Sequence, residues 1–449
     1  MEKKMEGQAY ARLVNLFDDG VFTQVNALTK EGDAPTGVIC AYGYVNGNAV
    51  YAFSQDKAVN SGAVGLKHAE KIAKLYALAA KTGTPIIGIH DSNGAFVDGT
   101  VDALTAYGEM LAGASPLSGV VPQIAVIAGT CAGSAALLAC SADFIIMTKD
   151  AEFFMAPPFS ANAGTAEAAA KAGTASLLCE DDAEAIAQAR ALINLLPVNN
   201  LSGAPMFEYA DSTAAVSGDL TALTAAVADA DSVLELGAAY GTAAYTALAT
   251  MGGTTVGFAA TNKTDAALTP ADCAKLARFV RTCDAFSIPV ITFVDTIGFA
   301  ADSEAELTGS IKAMTQLANC YAEATTVKLS VVTGNAIGAA FTALAGTACG
   351  ADFTYAWENA VISPMAPLTA VEFLWHDQLK GASDVNAKRA ELAKTFAATV
   401  ASATSAAEKN AVDAVIAPAD TRATLLSALD ILSGKRVSNL PKKHNNIPF

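Results

Sequence analysis

The chain repeats itself, and the repeat limits its fold more than any other feature. Pro85 and Asp91 recur as Pro289 and Asp295, each 204 positions later. Upstream, Asn46-Gly47-Asn48-Ala49-Val50 recurs as Gly252-Gly253-Thr254-Thr255-Val256 at an offset of 206. Downstream, Gly133 returns as Gly338 at 205 and Asp143-Phe144 as Asp352-Phe353 at 209. So little drift over about a hundred residues marks two copies of one structural unit rather than a compositional accident. The segment 197–219 between them is polar, turn-rich and without periodicity, which places the units at 1–205 and 206–449. A length of 449 residues suits two domains of ordinary size.

Within each copy the order is helix, hairpin, helix, buried strand, helix, strand. In the first copy a short amphipathic helix over Ala9–Phe22 stops at Gly20, with Leu13, Leu16 and Phe17 inward. Gly37–Gln55 alternates as a hairpin turned by Asn46-Gly47. A helix over Gly65–Lys81 precedes the buried strand Pro85–His90, and a further helix spans Asp102–Ala112. The stretch 121–147, VPQIAVIAGTCAGSAALLACSADFIIM, reads as strand, Gly-rich turn, tightly packed helix, strand, with the first strand breaking at Gly129. Its counterpart is VKLSVVTGNAIGAAFTALAGTACGADF at 327–353. Continuous apolar strands alternating with helices predict a layered α/β architecture. Beyond the second copy an Ala-rich helix is expected over Glu391–Ala407, then an irregular basic tail from Lys435 to Phe449.

A net charge of −16 argues against nucleic acid or anionic membrane as a main partner. Any anionic substrate must be held by local N–H groups and a few placed cations. The eight cysteines are scattered without Cys-x-x-Cys spacing and there are four histidines, so no metal site is expected. The N-terminal MEKKMEGQAYARL lacks the apolar core of a secretory signal, and 124–140 is too short and too rich in small residues to span a bilayer. A cytoplasmic protein is the expectation.

Each copy ends two buried strands in small-residue turns: Asn93-Gly94-Ala95 and Ala132-Gly133-Ser134, then Ile297-Gly298-Phe299 and Gly338-Ala339-Ala340. Two such turns on adjacent strands can aim two N–H groups at one carbonyl oxygen, as stabilising an enolate requires. Losing one such donor costs about 3 kcal/mol of barrier. The other catalytic arrangements are weaker. Ser92 is in no Gly-x-Ser-x-Gly elbow, and no histidine is its evident partner. His90 reads as a core residue, while His68 and His376 read as helix surface and His444 as tail. Asp91 and Asp295 are expected to cap the turns after them, and Glu180-Asp181-Asp182 to cap a helix. Backbone donors without a protein base are the distinctive pattern.

Across VNGNAVYAFSQD, GLKHAEKIAKLYALAAKTGTPIIGIHDSNGA, YGEM, SGVVPQIAVIAGTCAGSAALLACSADFIIM, PVITFVDTIGF, NAIGAA, GADFTYAW, VDAVIAPADTR and KKHNNIP, the chain resembles the carboxyltransferase subunits of biotin-dependent acyl-CoA carboxylases and decarboxylases, including propionyl-CoA carboxylase beta and methylmalonyl-CoA decarboxylase alpha. The resemblance runs from about Leu13 to the C-terminus. It implies two tandem crotonase-like spiral domains. It also implies active sites formed between the first domain of one protomer and the second of another, hence a homo-oligomer, either a dimer or a trimer of dimers. The implied reaction moves a carboxyl group between a short-chain acyl-CoA and biotin on a separate carrier protein, with biotin itself able to take the α-proton.

By position, Gly133 and Ser134 match the pair whose backbone N–H groups serve the acyl-CoA side, and Ala339 and Ala340 the pair on the biotin side. Asn93, Gly94, Ala95, Gly298, Phe299 and Gly338 complete the implied cofactor- and substrate-binding turns. Further partners implied are a biotin carboxylase or the membrane subunits of a decarboxylase, through which the chain would lie at the membrane. Where the family carries Gly-Gly-Ala-Arg this chain has Asn93-Gly94-Ala95-Phe96, which removes a cation. Ile297-Gly298-Phe299-Ala300-Ala301-Asp302 replaces Pro-Gly-Phe-x-Pro-Gly, and Met365-Ala366-Pro367-Leu368-Thr369-Ala370-Val371 replaces Met-Gly-Ala-Gln-Gly-Ala-Val. Two other readings arise from these changes and from the fold. One is a non-catalytic scaffold, with Phe96, Pro367 or Leu368 plugging the cleft. The other is a hydratase or isomerase, which would need glutamates near the second turn that 135–142 does not provide.

Overall fold

The computed structural model describes residues 7–156, 163–216, 219–261 and 266–446. The first six residues of the N-terminal stretch, two of the polar join and the last three of the tail lie outside the described residues. The chain divides into two compact units, Met1–Pro205 and Met206–Phe449.

In unit 1 the hairpin strands β2 (Val38–Val45) and β3 (Asn48–Gln55) come after β1 (Phe22–Val25), and a run of parallel strands is next: β4 (Ile86–Ser92), β5 (Gln123–Ala132), β6 (Phe144–Thr148), β7 (Glu152–Phe154) and β8 (Leu177–Cys179). They form one sheet in the order β1-β2-β3-β4-β5-β6-β8, with β7 pairing on β5. Helices α1 (Gln8–Leu16), α2 (Leu66–Thr82), α3 (Val101–Ala114), α4 (Ser134–Cys140) and α5 (Asp182–Leu195) connect and cover it. The hairpin turn uses Asn46 and Gly47 at φ 48° and 76°, the left-handed pair that a two-residue hairpin requires. The N-terminal helix ends earlier than its sequence suggests, because Phe22–Val25 leaves it to pair with β2 at the sheet edge.

Unit 2 repeats the plan with β9 (Leu234–Glu235), β10 (Ala244–Met251), β11 (Thr254–Thr261), β12 (Val290–Thr296), β13 (Lys328–Ile337), β14 (Phe353–Trp357), β15 (Val361–Ser363) and β16 (Ala414–Ile416). Their order is β9-β10-β11-β12-β13-β14-β16, with β15 on β13, the same topology strand for strand. The corresponding helices include α6 (Leu220–Val227), α7 (Pro270–Ala285), α8 (Ser310–Glu323), α9 (Ala339–Leu344) and α10 (Thr421–Leu432). α7 starts in a full capping box: Thr269 accepts from Asp272 N–H, Asp272 accepts from Thr269 N–H, and Pro270 sits at the first position. The expected continuous helix over Glu391–Ala407 is instead two, Val385–Ala398 and Ala403–Glu408. Ala401 turns its carbonyl to Ile362 N–H, and Ser402 caps the second helix, so strand β15 splits the Ala-rich run.

The duplication reaches single hydrogen bonds. Asp18 accepts from the N–H groups of Asn46 and Gly47 in the first hairpin, at 3.0 and 2.9 Å. Asp229 accepts from Gly252 and Gly253 in the second, both at 2.9 Å. Each carboxylate is also bound by an arginine of the last helix, Arg190 or Arg422, which reaches on to the carbonyl of Leu16 or Val227. Buried Lys71 and Lys275 likewise both give their ammonium to the carbonyl that starts the first hairpin strand, Val38 at 2.6 Å and Ala244 at 2.8 Å.

Candidate active site

The central strands of each unit, β4–β5 and β12–β13, share one irregularity. Between the pairs His90–Ile127 and Ser92–Cys131, Asp91 alone faces three residues, 128–130. Between Val294–Val332 and Thr296–Ala336, Asp295 alone faces 333–335. Such bulges bend a strand and re-aim the residues beyond them. Past the bulge β5 exchanges its partner β6 for β7, and β13 exchanges β14 for β15. The glycine in each bulge is required by contact. A Cβ on Gly129 would lie 2.2 Å from Asp91 Oδ1, and one on Gly334 would lie 2.4 Å from Asp295 Oδ1.

Neither aspartate caps the turn after it, contrary to the sequence reading. The next residue does so: Ser92 Oγ accepts Gly94 N–H at 3.1 Å and Thr296 Oγ1 accepts Gly298 N–H at 3.2 Å. Alternation along the strand explains the exchange, since the aspartate points back under the bulge and its neighbour points to the turn. Asp91 Oδ2 accepts from Arg12 at 3.0 Å, and Asp295 Oδ1 from Asn335 N–H at 2.7 Å.

The first turn of each unit is pinned from one side. Val64 N–H donates to Gly94 O and Phe96 N–H to Val64 O, while Leu268 N–H donates to Gly298 O and Ala300 N–H to Leu268 O. Gly94 and Gly298 sit at φ 102° and 113°, open to glycine and strained for other residues. The N–H groups of Ala95 and Phe299, between the pinned ones, have no acceptor among the described residues.

The second turn comes at the end of β5 and β13. Gly133 takes φ 61°, ψ −132° and Gly338 φ 65°, ψ −144°, nearly the same unusual conformation. Gly133 N–H donates to Phe154 O and Gly338 N–H to Ser363 O, both at 2.8 Å. The next two N–H groups, Ser134 and Ala135 in unit 1 and Ala339 and Ala340 in unit 2, have no acceptor among the described residues, as the start of a helix dictates. Gly133 thus shapes the turn while its own N–H is spent inward. The two turns of a unit touch, since a Cβ on Gly94 would lie 2.9 Å from Ala132 O. In unit 2 a cavity of about 410 Å³ opens on the second turn, lined by Gly338, Ala339, Phe341, Thr342, Ile362, Ser363 and Pro364. Pro367 and Leu368, of the same unit, are not among its lining residues, and Leu368 is exposed.

Side chains near these turns are poor acids or bases. His68, expected on a helix surface, is buried, its Nε2 within 3.2 Å of Gln55 Nε2. Burial, reinforced by Lys71, pulls its pKa down to about 3, and burial pulls His90 down to about 4. Both are neutral near pH 7 and enclosed. The buried Cys131 thiol is pushed up by burial, away from thiolate chemistry. Three polar groups line up beside the unit 1 turn: Lys57 Nζ donates to Thr130 Oγ1 at 3.1 Å, and Thr130 Oγ1 to Glu152 at 3.3 Å. The sequence reading overlooked Lys57, Arg12 and the two arginine-bound aspartates. The repeat held a signal for the last of these, because Asp18 and Asp229 recur at an offset of 211.

Two tandem crotonase-like units, each ending its central strands in glycine-held turns, are the fold that carboxyltransferases share. The chain belongs to the carboxyl transferase family, whose domain matches residues 5–447. It is 35% identical to methylmalonyl-CoA decarboxylase subunit alpha of Veillonella parvula, over 100% of this chain and 96% of that one. It is 33% identical to the propionyl-CoA carboxylase beta chain of Cereibacter sphaeroides, over 98% of this chain and 93% of the relative. The solved transcarboxylase 12S structure, a hexamer carrying hydrolysed methylmalonyl-coenzyme A, superposes with a TM-score of 0.92 at 33% identity, covering 98% of this chain and 92% of the other.

Proposed function

We propose that this chain moves a carboxyl group between a short-chain acyl-CoA, of the propionyl/methylmalonyl or acetyl/malonyl type, and biotin borne on a separate carrier. The observation that carries the reading is the duplicated turn with N–H groups that no described protein atom accepts. Carboxyl transfer at the α-carbon of a thioester puts negative charge on the thioester oxygen, and fixed backbone donors stabilise such charge without reorganising. In unit 1 the donors are Ser134, with Ala95 from the touching turn and Ala135 beside it; Asn93, Gly94 and Gly133 set the backbone that presents them. In unit 2 Ala339 and Ala340 are the corresponding donors, with Phe299 from the first turn, while Gly298 and Gly338 fix the shape.

The unit 2 residues fit a biotin ureido ring. Its carbonyl is an acceptor for the N–H groups of Ala339 and Ala340, and the 410 Å³ cavity is walled by Phe341, Ile362 and Pro364. When bound, biotin supplies the ring nitrogen that gives or takes the carboxyl group, and the protein supplies position and backbone charge stabilisation. The neutral, buried histidines are consistent with a site in which the protein contributes no base. Relatives of both the decarboxylase and carboxylase kinds resemble the chain closely, and the direction of transfer belongs to its partner subunits: a biotin carboxylase, or membrane components of a decarboxylase.

The test is isotope exchange between free biotin and labelled methylmalonyl- or malonyl-CoA with the purified chain. Label should leave the CoA ester only when biotin is present. If no short acyl-CoA supports exchange while the chain stays folded and oligomeric, the enzymatic reading is lost.

A further inference from the structure

The second turns of the two units make matching contacts, so the lining of one identifies the lining of the other. Gly133 N–H donates to Phe154 O as Gly338 N–H donates to Ser363 O. A Cβ on Gly133 would meet Met155 O at 3.9 Å, and one on Gly338 would meet Pro364 O at 3.5 Å. Met155 therefore holds in unit 1 the place of Pro364 in unit 2. Leu137 likewise holds the place of Thr342, each being the fourth residue of the helix that follows its glycine. Pro364 and Thr342 both line the 410 Å³ cavity that opens on the second turn of unit 2. Their unit 1 counterparts are large and apolar, yet Leu137 is 50% exposed and Met155 58%. The neighbouring Leu138 is buried in the unit 1 core, which turns the Leu137 side of α4 outward. Helical side chains lean toward the N-terminal end, so Leu137 lies over the turn of Gly133 and Ser134. Met155 reaches the same turn from the end of β7.

We propose that Leu137 and Met155 form the wall that reads the α-substituent of the acyl group, and that they favour an α-methyl ester, methylmalonyl-CoA, over malonyl-CoA. The assignment rests on the carboxyl-transfer reading, in which Ser134 N–H holds the thioester oxygen. With that oxygen held, the α-carbon lies one bond from the carbonyl carbon, within reach of side chains that flank the donor. Neither side chain carries charge, so the wall sorts esters by their α-substituent and not by the carboxylate that both share. A substrate methyl placed there leaves water and covers apolar surface that the free chain exposes. One methylene in a hydrophobic pocket is worth about 10- to 200-fold in kcat/KM. The unbranched thioether of Met155 adapts its shape, so a branched acyl group is admitted without strain. In unit 2 the same two places carry a rigid ring and a hydroxyl, Pro364 and Thr342, which differ from an apolar wall in the way that biotin differs from an acyl chain.

The test is biotin-dependent exchange by the full chain with malonyl-, methylmalonyl- and ethylmalonyl-CoA, read as ratios of kcat/KM. The parent should use methylmalonyl-CoA at least about tenfold better than malonyl-CoA. Leu137→Ala and Met155→Ala should each lower that ratio by about fivefold or more, and raise ethylmalonyl-CoA relative to methylmalonyl-CoA. Leu137→Trp should do the reverse for the larger esters and turn the chain toward malonyl-CoA. A size preference that moves in opposite directions with a smaller and a larger side chain is not produced by partial unfolding. The KM for biotin, set in unit 2, should not follow these changes. A parent that prefers malonyl-CoA, ratios unmoved in the folded variants, or ratios that move only as far as the oligomer dissociates on sedimentation would overturn the assignment. No exchange with any ester in the folded, oligomeric parent is a different failure: it removes the carboxyl-transfer reading, and the wall with it.

Discussion

At the residue scale, two glycines and two histidines carry the sharpest consequences. Gly133 occupies a backbone region that only glycine enters without strain, yet a Cβ there would meet nothing closer than Met155 O at 3.9 Å. Gly133→Ala is therefore limited by torsion rather than by space, and should cost about 1–3 kcal/mol in thermal unfolding. Carboxyl exchange should fall further, by about a hundredfold or more, because the N–H groups after the turn are re-aimed. Ser134→Ala keeps the backbone donor and should exchange within about twofold of the parent, since ordinary surface changes are small. A large loss there would assign the work to the hydroxyl instead. Gly338 has the same torsional constraint in unit 2, and Gly338→Ala should act on the biotin side in the same direction. His68 and His90 make the fold acid-sensitive. Free imidazoles take a proton near 6.5, whereas in the fold burial holds these two down to about 3 and about 4. The unfolded chain therefore binds more protons at these two sites throughout that window, so the stability they contribute is fully present above pH 6.5 and falls as the pH drops toward 4. Together the two imidazoles should account for several kcal/mol across that window. Chemical denaturation between pH 7 and 4.5 checks this, and His90→Phe should flatten the slope.

At the scale of elements, the helix-to-hairpin clamps of the two units are alike in plan and unequal in depth. Asp229 is 2% exposed at the side chain and Arg422 14%, whereas Asp18 and Arg190 are 30% and 26% exposed. For Asp229, burial alone would raise the carboxyl pKa, but the bonds from Arg422, Gly253 and Gly252 outweigh it and hold the group below its usual value. Arg422→Met leaves that buried carboxylate without its cation and should cost about 3–5 kcal/mol. Arg190→Met acts on a half-exposed pair and should cost about 1 kcal/mol. Equal losses in urea unfolding would show that burial does not set the difference. The sequence exposed the frames of these elements because strands, hairpin turns and capping residues are local. The clamp was less visible, because Arg190 comes from the third turn of its helix and Arg422 from the first. The split of the Ala-rich helix near Ser402 was hidden for a related reason: a strand from elsewhere in the unit takes the hydrogen bonds.

At the scale of the whole molecule, each unit has its own apolar core, one built around Phe53, Ile72 and Ile127 and the other around Tyr245, Phe258 and Phe293. The resemblance implies an active site formed between unit 1 of one protomer and unit 2 of another, and that expectation carries a prediction. Specific activity in biotin exchange should therefore fall on dilution in step with dissociation seen by sedimentation. A fully active monomer would contradict the shared site.

The sequence by itself determined the duplication, the α/β class, the four glycine turns and, through its ordered motifs, the carboxyltransferase family. Those properties depend on spacing and on residues whose backbone needs are local. Only the tertiary structure decided which N–H groups of the turns have an acceptor within the chain. That Gly133 N–H has one depends on where the carbonyl of Phe154 lies, and Phe154 belongs to a strand about 20 residues away. The same holds for Arg12, which reads as part of an amphipathic helix and becomes buried because Asp91 and Asp182, distant in sequence, close around its guanidinium. A buried charge is settled by its partners, and partners are brought together by folding rather than by spacing along the chain.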